Sequence, residues 1–221
     1  MIVAVRKPLA EIEALLEAHR AVAVVGCRGC VTVCNVGGEK EVGILAAELA
    51  LARRTKGRPL EVREVTIERQ CDPEYVDALG GQLGGVEAVL SLACGAGIGF
   101  VAERYLRLRV LPGVNTVFLG VTESGGKWSE RCQACGDCKL GWTAGVCPIA
   151  RCSKSLLNGP CGGSMKGSCE IDAAVPCAWQ LIVERLTERG ELERYEEIAP
   201  ANDWRSARDG GPRSVTREDL T

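Results

Sequence analysis

Ala21-Val22-Ala23-Val24-Val25-Gly26-Cys27 sets five apolar residues in a row and closes them with a glycine and a cysteine. So short an uninterrupted apolar run is how a strand buried on both faces reads, which is the usual state of a parallel sheet. Upstream, Leu9 to His19 spaces Leu9, Ile12, Leu15 and Leu16 at a helical period. Downstream, Lys40 to Arg54 puts Val42, Leu45, Ala46 and Leu49 on one helical face, and Leu60 to Ile67 reads as a strand. Asp72 to Leu83 reads as a helix opened by Asp72-Pro73, and Val86 to Leu92 as another apolar strand. A Gly-rich turn, a helix from Phe100 to Leu108 and a fourth strand from Val114 to Val121 follow. Strand and helix alternating at this pitch predict a three-layer α/β domain with a mainly parallel sheet over residues 1–123.

Five cysteines gain meaning on that sheet. Cys27 follows the first strand, Cys71 lies just past the second and Cys94 just past the third, while Cys30 and Cys34 follow closely on Cys27. Parallel strands end on one edge, where such sheets assemble ligand sites, so Cys27, Cys71 and Cys94 are expected to converge as a metal site. Of the five thiols, Cys30 or Cys34 is the expected spare. Gly95-Ala-Gly97-Ile-Gly99 lies where a dinucleotide fingerprint would, but Phe100 holds the place of its third glycine. Close passage of the backbone is the reading preferred there.

The other eight cysteines fall between Cys132 and Cys177. Cys132-Gln-Ala-Cys135-Gly-Asp-Cys138, followed by Cys147-Pro148, has the spacing that wraps a cubane iron–sulfur cluster. With Cys152, Cys161, Cys169 and Cys177 the thiols suffice for two [4Fe-4S] clusters, although spacing does not assign each cysteine to its cluster. Zinc is the rival metal. Only Cys132, Cys135 and Cys138 offer a C-x-x-C knuckle, and the last four cysteines stand 8 to 9 residues apart, a spacing that suits either metal. Zinc therefore stays open at one site. Gly125-Gly126-Lys-Trp-Ser reads as a linker into this segment, residues 124–180, which lacks sustained periodicity and needs metal for much of its folding free energy. A helix from Ala178 to Tyr195 and a polar tail with Trp204 complete the chain, residues 181–221 forming the third region.

Composition narrows the function. The 221 residues are 46% hydrophobic but include only two Phe, three Tyr and four Trp, so the core is built from Val, Leu, Ile and Ala. A net charge of −2 argues against nucleic acid as partner. No apolar run is long enough to cross a bilayer and no hydrophobic signal core follows Met1, so a soluble cytoplasmic protein is expected, with no membrane insertion. In that reducing compartment thirteen thiols point to metal rather than disulfides. The lone His19 is expected on the surface at a helix C-terminal turn. No Ser/His/Asp or Cys/His pair suited to nucleophilic chemistry is present, so a non-catalytic electron-transfer subunit is expected. A zinc-stabilised structural adaptor and, more weakly, a nucleotide-binding oxidoreductase domain are the alternatives.

The strings Cys132-Gln-Ala-Cys135-Gly-Asp-Cys138, Cys147-Pro-Ile-Ala-Arg-Cys152, Asn158-Gly-Pro-Cys161-Gly-Gly and Lys166-Gly-Ser-Cys169-Glu resemble the C-terminal domain family named after methylenetetrahydrofolate reductase. That domain is found in small iron–sulfur subunits of the MetV type. The resemblance extends to Gly26-Cys27 through Cys34, Cys71-Asp72, Leu92-Ala-Cys94-Gly95 and Asp209-Gly-Gly-Pro-Arg213. It implies an electron-transfer subunit paired with a flavin-containing barrel subunit that reduces methylene- to methyl-tetrahydrofolate in one-carbon, Wood–Ljungdahl metabolism. It further implies ferredoxin or a heterodisulfide-reductase-like electron-bifurcating module as donor. The N-terminal strand-end cysteines are similar to those of small subunits of methyl-viologen-type hydrogenases, which implies a third iron–sulfur cluster.

Overall fold

The computed structural model describes residues 1–220 and divides into two compact units. Unit one is Met1–Phe118 with Thr122–Trp128; unit two is Leu119–Val121 with the chain from Ser129 onward.

Unit one contains strand β1 (Ile2–Arg6), helix α1 (Leu9–Leu15), β2 (Ala21–Cys27), the short α2 (Cys30–Val33), α3 (Glu39–Thr55), β3 (Glu61–Ile67), α4 (Pro73–Leu79), β4 (Ala88–Ser91), α5 (Gly95–Arg104) and β5 (Arg109–Pro112). The order β3-β2-β4-β5 makes a four-stranded parallel sheet. Side chains alternate across it as the pleat demands. Val22, Val24, Ala88 and Leu90 join Ile12, Leu16, Val42, Leu45 and Leu49 in one core cluster. Ala23, Val25 and Val89 join Val65, Ile67, Val76, Leu79 and Val101 in another. Every residue of β2 after Ala21 is buried, which is why its sequence is apolar without a break. Caps set the helix starts. Asp72 accepts from the Glu74 N–H at 3.2 Å with Pro73 in the first turn of α4, and the Glu41 carboxylate accepts from the Gly38 N–H at 3.0 Å ahead of α3.

Two more strands, β6 (Val114–Ser124) and β7 (Lys127–Cys132), join β1 in a separate antiparallel sheet, order β1-β6-β7. Here the structure corrects the sequence reading. The fourth parallel strand is β5, and Val114 to Val121 lies in β6, whose largely exposed residues cannot be those of a strand covered on both faces. Gly125-Gly126 is the tight turn between β6 and β7 rather than a linker, with Gly126 at φ +78°, where a side chain would be strained. The five-residue β1 escaped notice because so short a run carries little periodicity. His19 lies beyond the end of α1, and its side chain is only 12% exposed, with Nδ1 3.9 Å from the Glu87 carboxylate and Nε2 buried. It is not a surface cap.

In unit two, α6 (Pro148–Arg151) and α7 (Ala178–Glu188) pack around Ala144, Val146, Ala178, Trp179, Ile182 and Leu186. That small core is edged by Cys152 and Cys177. Tyr195, in the short 3-10 turn Leu192–Glu196, meets Trp179 edge to face at 6.3 Å.

Helix α5 starts at Gly95, five residues before the expected start at Phe100, so the glycines form its first turns. A Cβ on Gly97 would lie 2.9 Å from Ala93 Cβ and 3.0 Å from Gln70 Cβ, whereas one on Gly99 would meet nothing within 4 Å. Gly97→Ala is therefore expected to lower stability by about 1–3 kcal/mol through overpacking. Gly99→Ala should raise it by up to about 1 kcal/mol through helix propensity. Urea unfolding of the two variants checks this pair, and equal shifts would contradict the close approach at Gly97.

Candidate metal-thiolate sites

The strand order of unit one creates its first candidate site. From β2 the chain passes to β3 on one side and then crosses to β4 on the other, so the carboxyl ends of β2 and β4 flank the point where the winding direction reverses. Doubly wound sheets bind ligands at that point because the connections diverge there and leave a crevice. Cys27 ends β2 and Cys94 is the N-cap residue of α5 just beyond β4, so they flank the switch point, with Cys71 just past β3. The Cys71 thiol lies within electrostatic reach of both Cys94 and Cys27. Burial raises the Cys71 pKa, and the neighbouring Cys94 and Cys27 add to the rise. Cys27 Sγ also lies 3.8 Å from the Glu68 carbonyl oxygen.

Cys34 is directed elsewhere. Only 3% exposed, its thiol donates to the Ile2 carbonyl of β1 at 3.5 Å, and burial raises its pKa. Cys30, one turn earlier on α2, interacts with Cys34. The structure thus sets Cys27, Cys71 and Cys94 at or just past the carboxyl ends of β2, β3 and β4 and gives Cys34 a partner on β1.

The second candidate site lies in unit two, where Cys152, Cys161, Cys169 and Cys177 line a single small cavity. Two come from helix ends, Cys152 as the C-cap residue of α6 and Cys177 as the N-cap residue of α7. The other two come from the loop between. That loop is folded back by its own backbone, with Cys169 N–H donating to Val175 O at 2.8 Å and Cys177 N–H to Gly167 O at 2.7 Å. Two of the sulfurs are hydrogen-bonded. Gly163 N–H donates to Cys161 Sγ at 3.4 Å, and Ser153 Oγ lies 3.4 Å from Cys169 Sγ. The Ser153 hydroxyl, followed by the Ile171 N–H, holds the Cys169 pKa below the ordinary thiol value. Arg151 and Lys154 also line the cavity, Lys154 paired with Glu170.

Cys132 ends β7, and Cys135 and Cys138 lie in the loop that follows it. Ala134 N–H donates to Cys132 Sγ at 3.3 Å, the same two-residue N–H to sulfur turn as at Cys161. Ser206 Oγ donates to the Cys135 carbonyl at 2.9 Å and Arg213 to the Ala134 carbonyl at 2.7 Å, so the tail is fastened to this turn. No periodicity marks Ser206 or Arg213 in the sequence. Cys147 is the N-cap residue of α6, ahead of Pro148.

Four thiols line this one cavity, two of them in contact with a hydroxyl or an amide N–H, and thiolate sulfur is the donor type that both iron–sulfur clusters and zinc take. The enclosed space is about 20 Å³, little more than one water and less than a cluster needs. Among the described residues no three His, Cys, Asp or Glu side chains close on one point as ligands of a single ion do. No helix among them is long and apolar enough to cross a membrane.

Residues 111–205 match the family model described as methylene-tetrahydrofolate reductase C terminal. No curated protein and no solved structure matches the chain. The matched stretch contains all eight cysteines from Cys132 to Cys177 and begins after the five of the parallel-sheet unit. Over residues 111–205 the chain is therefore similar to the methylene-tetrahydrofolate reductase C-terminal domain family.

Proposed function

We propose that this chain is the electron-transfer subunit of a methylenetetrahydrofolate reductase, serving a flavin-containing partner that carries out the reduction of methylene- to methyl-tetrahydrofolate. The observation that carries the reading is the cavity of Cys152, Cys161, Cys169 and Cys177 inside the matched domain. A thiolate-bound iron–sulfur cluster supplies one-electron chemistry, which is what a flavin accepts from a low-potential donor. In unit two, Cys152, Cys161, Cys169 and Cys177 would hold one such cluster and Cys132, Cys135, Cys138 and Cys147 a second. Cys27, Cys71 and Cys94, with Cys30 as the fourth thiol, would hold a third metal centre, leaving Cys34, bonded to the Ile2 carbonyl of β1, as the spare.

The chain's own residues have definable work in this scheme. Gly163 N–H places a positive hydrogen against the Cys161 sulfur, and the Ser153 hydroxyl, which accepts from the Cys169 thiol, would donate to that sulfur once it is a thiolate; such bonds stabilise thiolate and raise the potential of whatever the sulfur ligates. Arg151 and Lys154 offset negative charge at the same cavity. Ser206 and Arg213 fix the carbonyls of the Cys132 to Cys138 turn. Ferredoxin or a heterodisulfide-reductase-like bifurcating module is the proposed donor.

Three outcomes are expected. Cys161→Ser and Cys169→Ser should each remove one cluster's worth of iron while Cys27, Cys71 and Cys94 keep theirs, as read by iron analysis of anaerobically purified protein. Unchanged iron in both would remove the cavity from the scheme. Stripping metal should expose residues 129–200 to protease before residues 21–112, because unit two has only a six-residue core. Earlier cleavage within β2 to β5 would contradict this. Finally, the chain alone should not reduce methylenetetrahydrofolate, and adding it to the flavin subunit should enable reduction by a low-potential donor. Cys161→Ser should abolish that rate without preventing association. A flavin subunit that accepts the same electrons at full rate alone would overturn the electron-transfer role and favour a structural adaptor.

A further inference from the structure

Gln70 is a fully buried polar residue immediately before Cys71. Its amide nitrogen donates to the Val25 carbonyl at 2.9 Å and to the Gly26 carbonyl at 3.0 Å, the two residues before Cys27. Its amide oxygen accepts from Ser91 Oγ at 2.6 Å, and Ser91 Oγ in turn accepts from the Ala93 N–H at 3.2 Å, next to Cys94. Ser91 is itself fully buried. One side-chain amide therefore joins the loop after β3 to the ends of β2 and β4, each bond landing one to three residues from a strand-end thiol. A buried amide is stabilising only when its donors and acceptor are all paired, and here both ends are.

Strand pairing aligns β2 with β3 as far as Cys27 with Ile67 and β2 with β4 as far as Val25 with Ser91, each followed by one more backbone bond, Arg28 N–H to the Ile67 carbonyl at 2.9 Å and Leu92 N–H to the Val25 carbonyl at 2.8 Å. Cys71 lies four residues past the last pair of β3, so the ladder alone does not place it. Gly97 of α5 completes the packing, since a Cβ there would press on Gln70.

We infer that Gln70, with Ser91 as its acceptor's donor, is the positioning residue that holds Cys27, Cys71 and Cys94 in one ligand set. This rests on the strand-end metal centre proposed above. Gln70 touches no sulfur in this scheme; it acts by fixing the three loops. A group in that role commonly accounts for about 10–100-fold in metal affinity.

The test is a time course of thiol alkylation on the full-length protein purified anaerobically, each cysteine quantified by peptide mass spectrometry. Wild-type Cys27, Cys71 and Cys94 should be protected relative to the urea-unfolded chain. Gln70→Leu, which keeps the bulk and loses all three bonds, should speed labelling of these three together by about 10–100-fold. Cys34, Cys152, Cys161, Cys169 and Cys177 should label as in wild type. Ser91→Ala, which removes one of the three Gln70 bonds together with the bond from the Ala93 N–H, should give a smaller change of the same pattern and serves if Gln70→Leu does not fold. Folded variants with unchanged labelling of the three would overturn the role of Gln70 and leave the metal centre standing. A parallel rise at Cys34 and at the unit-two thiols would also overturn it, as general destabilisation. Unprotected Cys27, Cys71 and Cys94 in wild type would overturn the metal centre and the inference with it.

Discussion

Parallel pairing of β2 with β3 on one side and β4 on the other is the constraint on which the thiol chemistry of unit one depends. Because all three strands run the same way, their carboxyl ends share one edge, and residues 44 and 67 positions away from Cys27 arrive beside it. Burial of β2 on both faces fixes this register, since a slip of one residue would exchange Val22 and Val24 with Ala23 and Val25 between two differently shaped cores. The position of the cysteines is thus a consequence of hydrophobic packing some distance below them.

Unit two follows a different principle. Its core is six residues around Trp179, and most of its chain is turns, caps and backbone bonds rather than ladders. Cysteines stand at the ends of α6 and α7 and in the loop between, so their sulfurs meet at a cavity that the apolar core borders. A ligand there would tie together segments that side-chain burial joins only weakly, and folding and ligand binding become one process. The tail contributes by its bonds to the Cys132 to Cys138 turn, which makes residues beyond α7 part of the same unit.

The sequence made the parallel core readable where physics leaves a periodic trace. The unbroken apolar run of β2, the face of α3 and the Asp72-Pro73 cap of α4 all stand where their patterns put them. Misreadings fell where that trace is weak or misleading. The glycines of α5 read as a turn because glycine is a poor helix former, yet Gly97 is required by contact with Gln70 and Ala93. β6 carries apolar residues on an exposed strand and so resembled a buried one. The place of Cys27, Cys71 and Cys94 at one edge of the sheet followed from topology alone. Gln70 and Ser91 did not, because a buried hydrogen bond between residues 21 positions apart has no pattern in a single chain. The same holds for Ser206 and Arg213.

The central claim is that thiolates of this chain carry iron–sulfur clusters for electron transfer to a flavin partner. Iron and acid-labile sulfide determined together on the anaerobically purified full-length protein test it most directly. The account predicts iron and sulfide in equal amounts, with a visible absorbance that bleaches on reduction with dithionite. Zinc without sulfide, and a visible region that dithionite leaves unchanged, would contradict it.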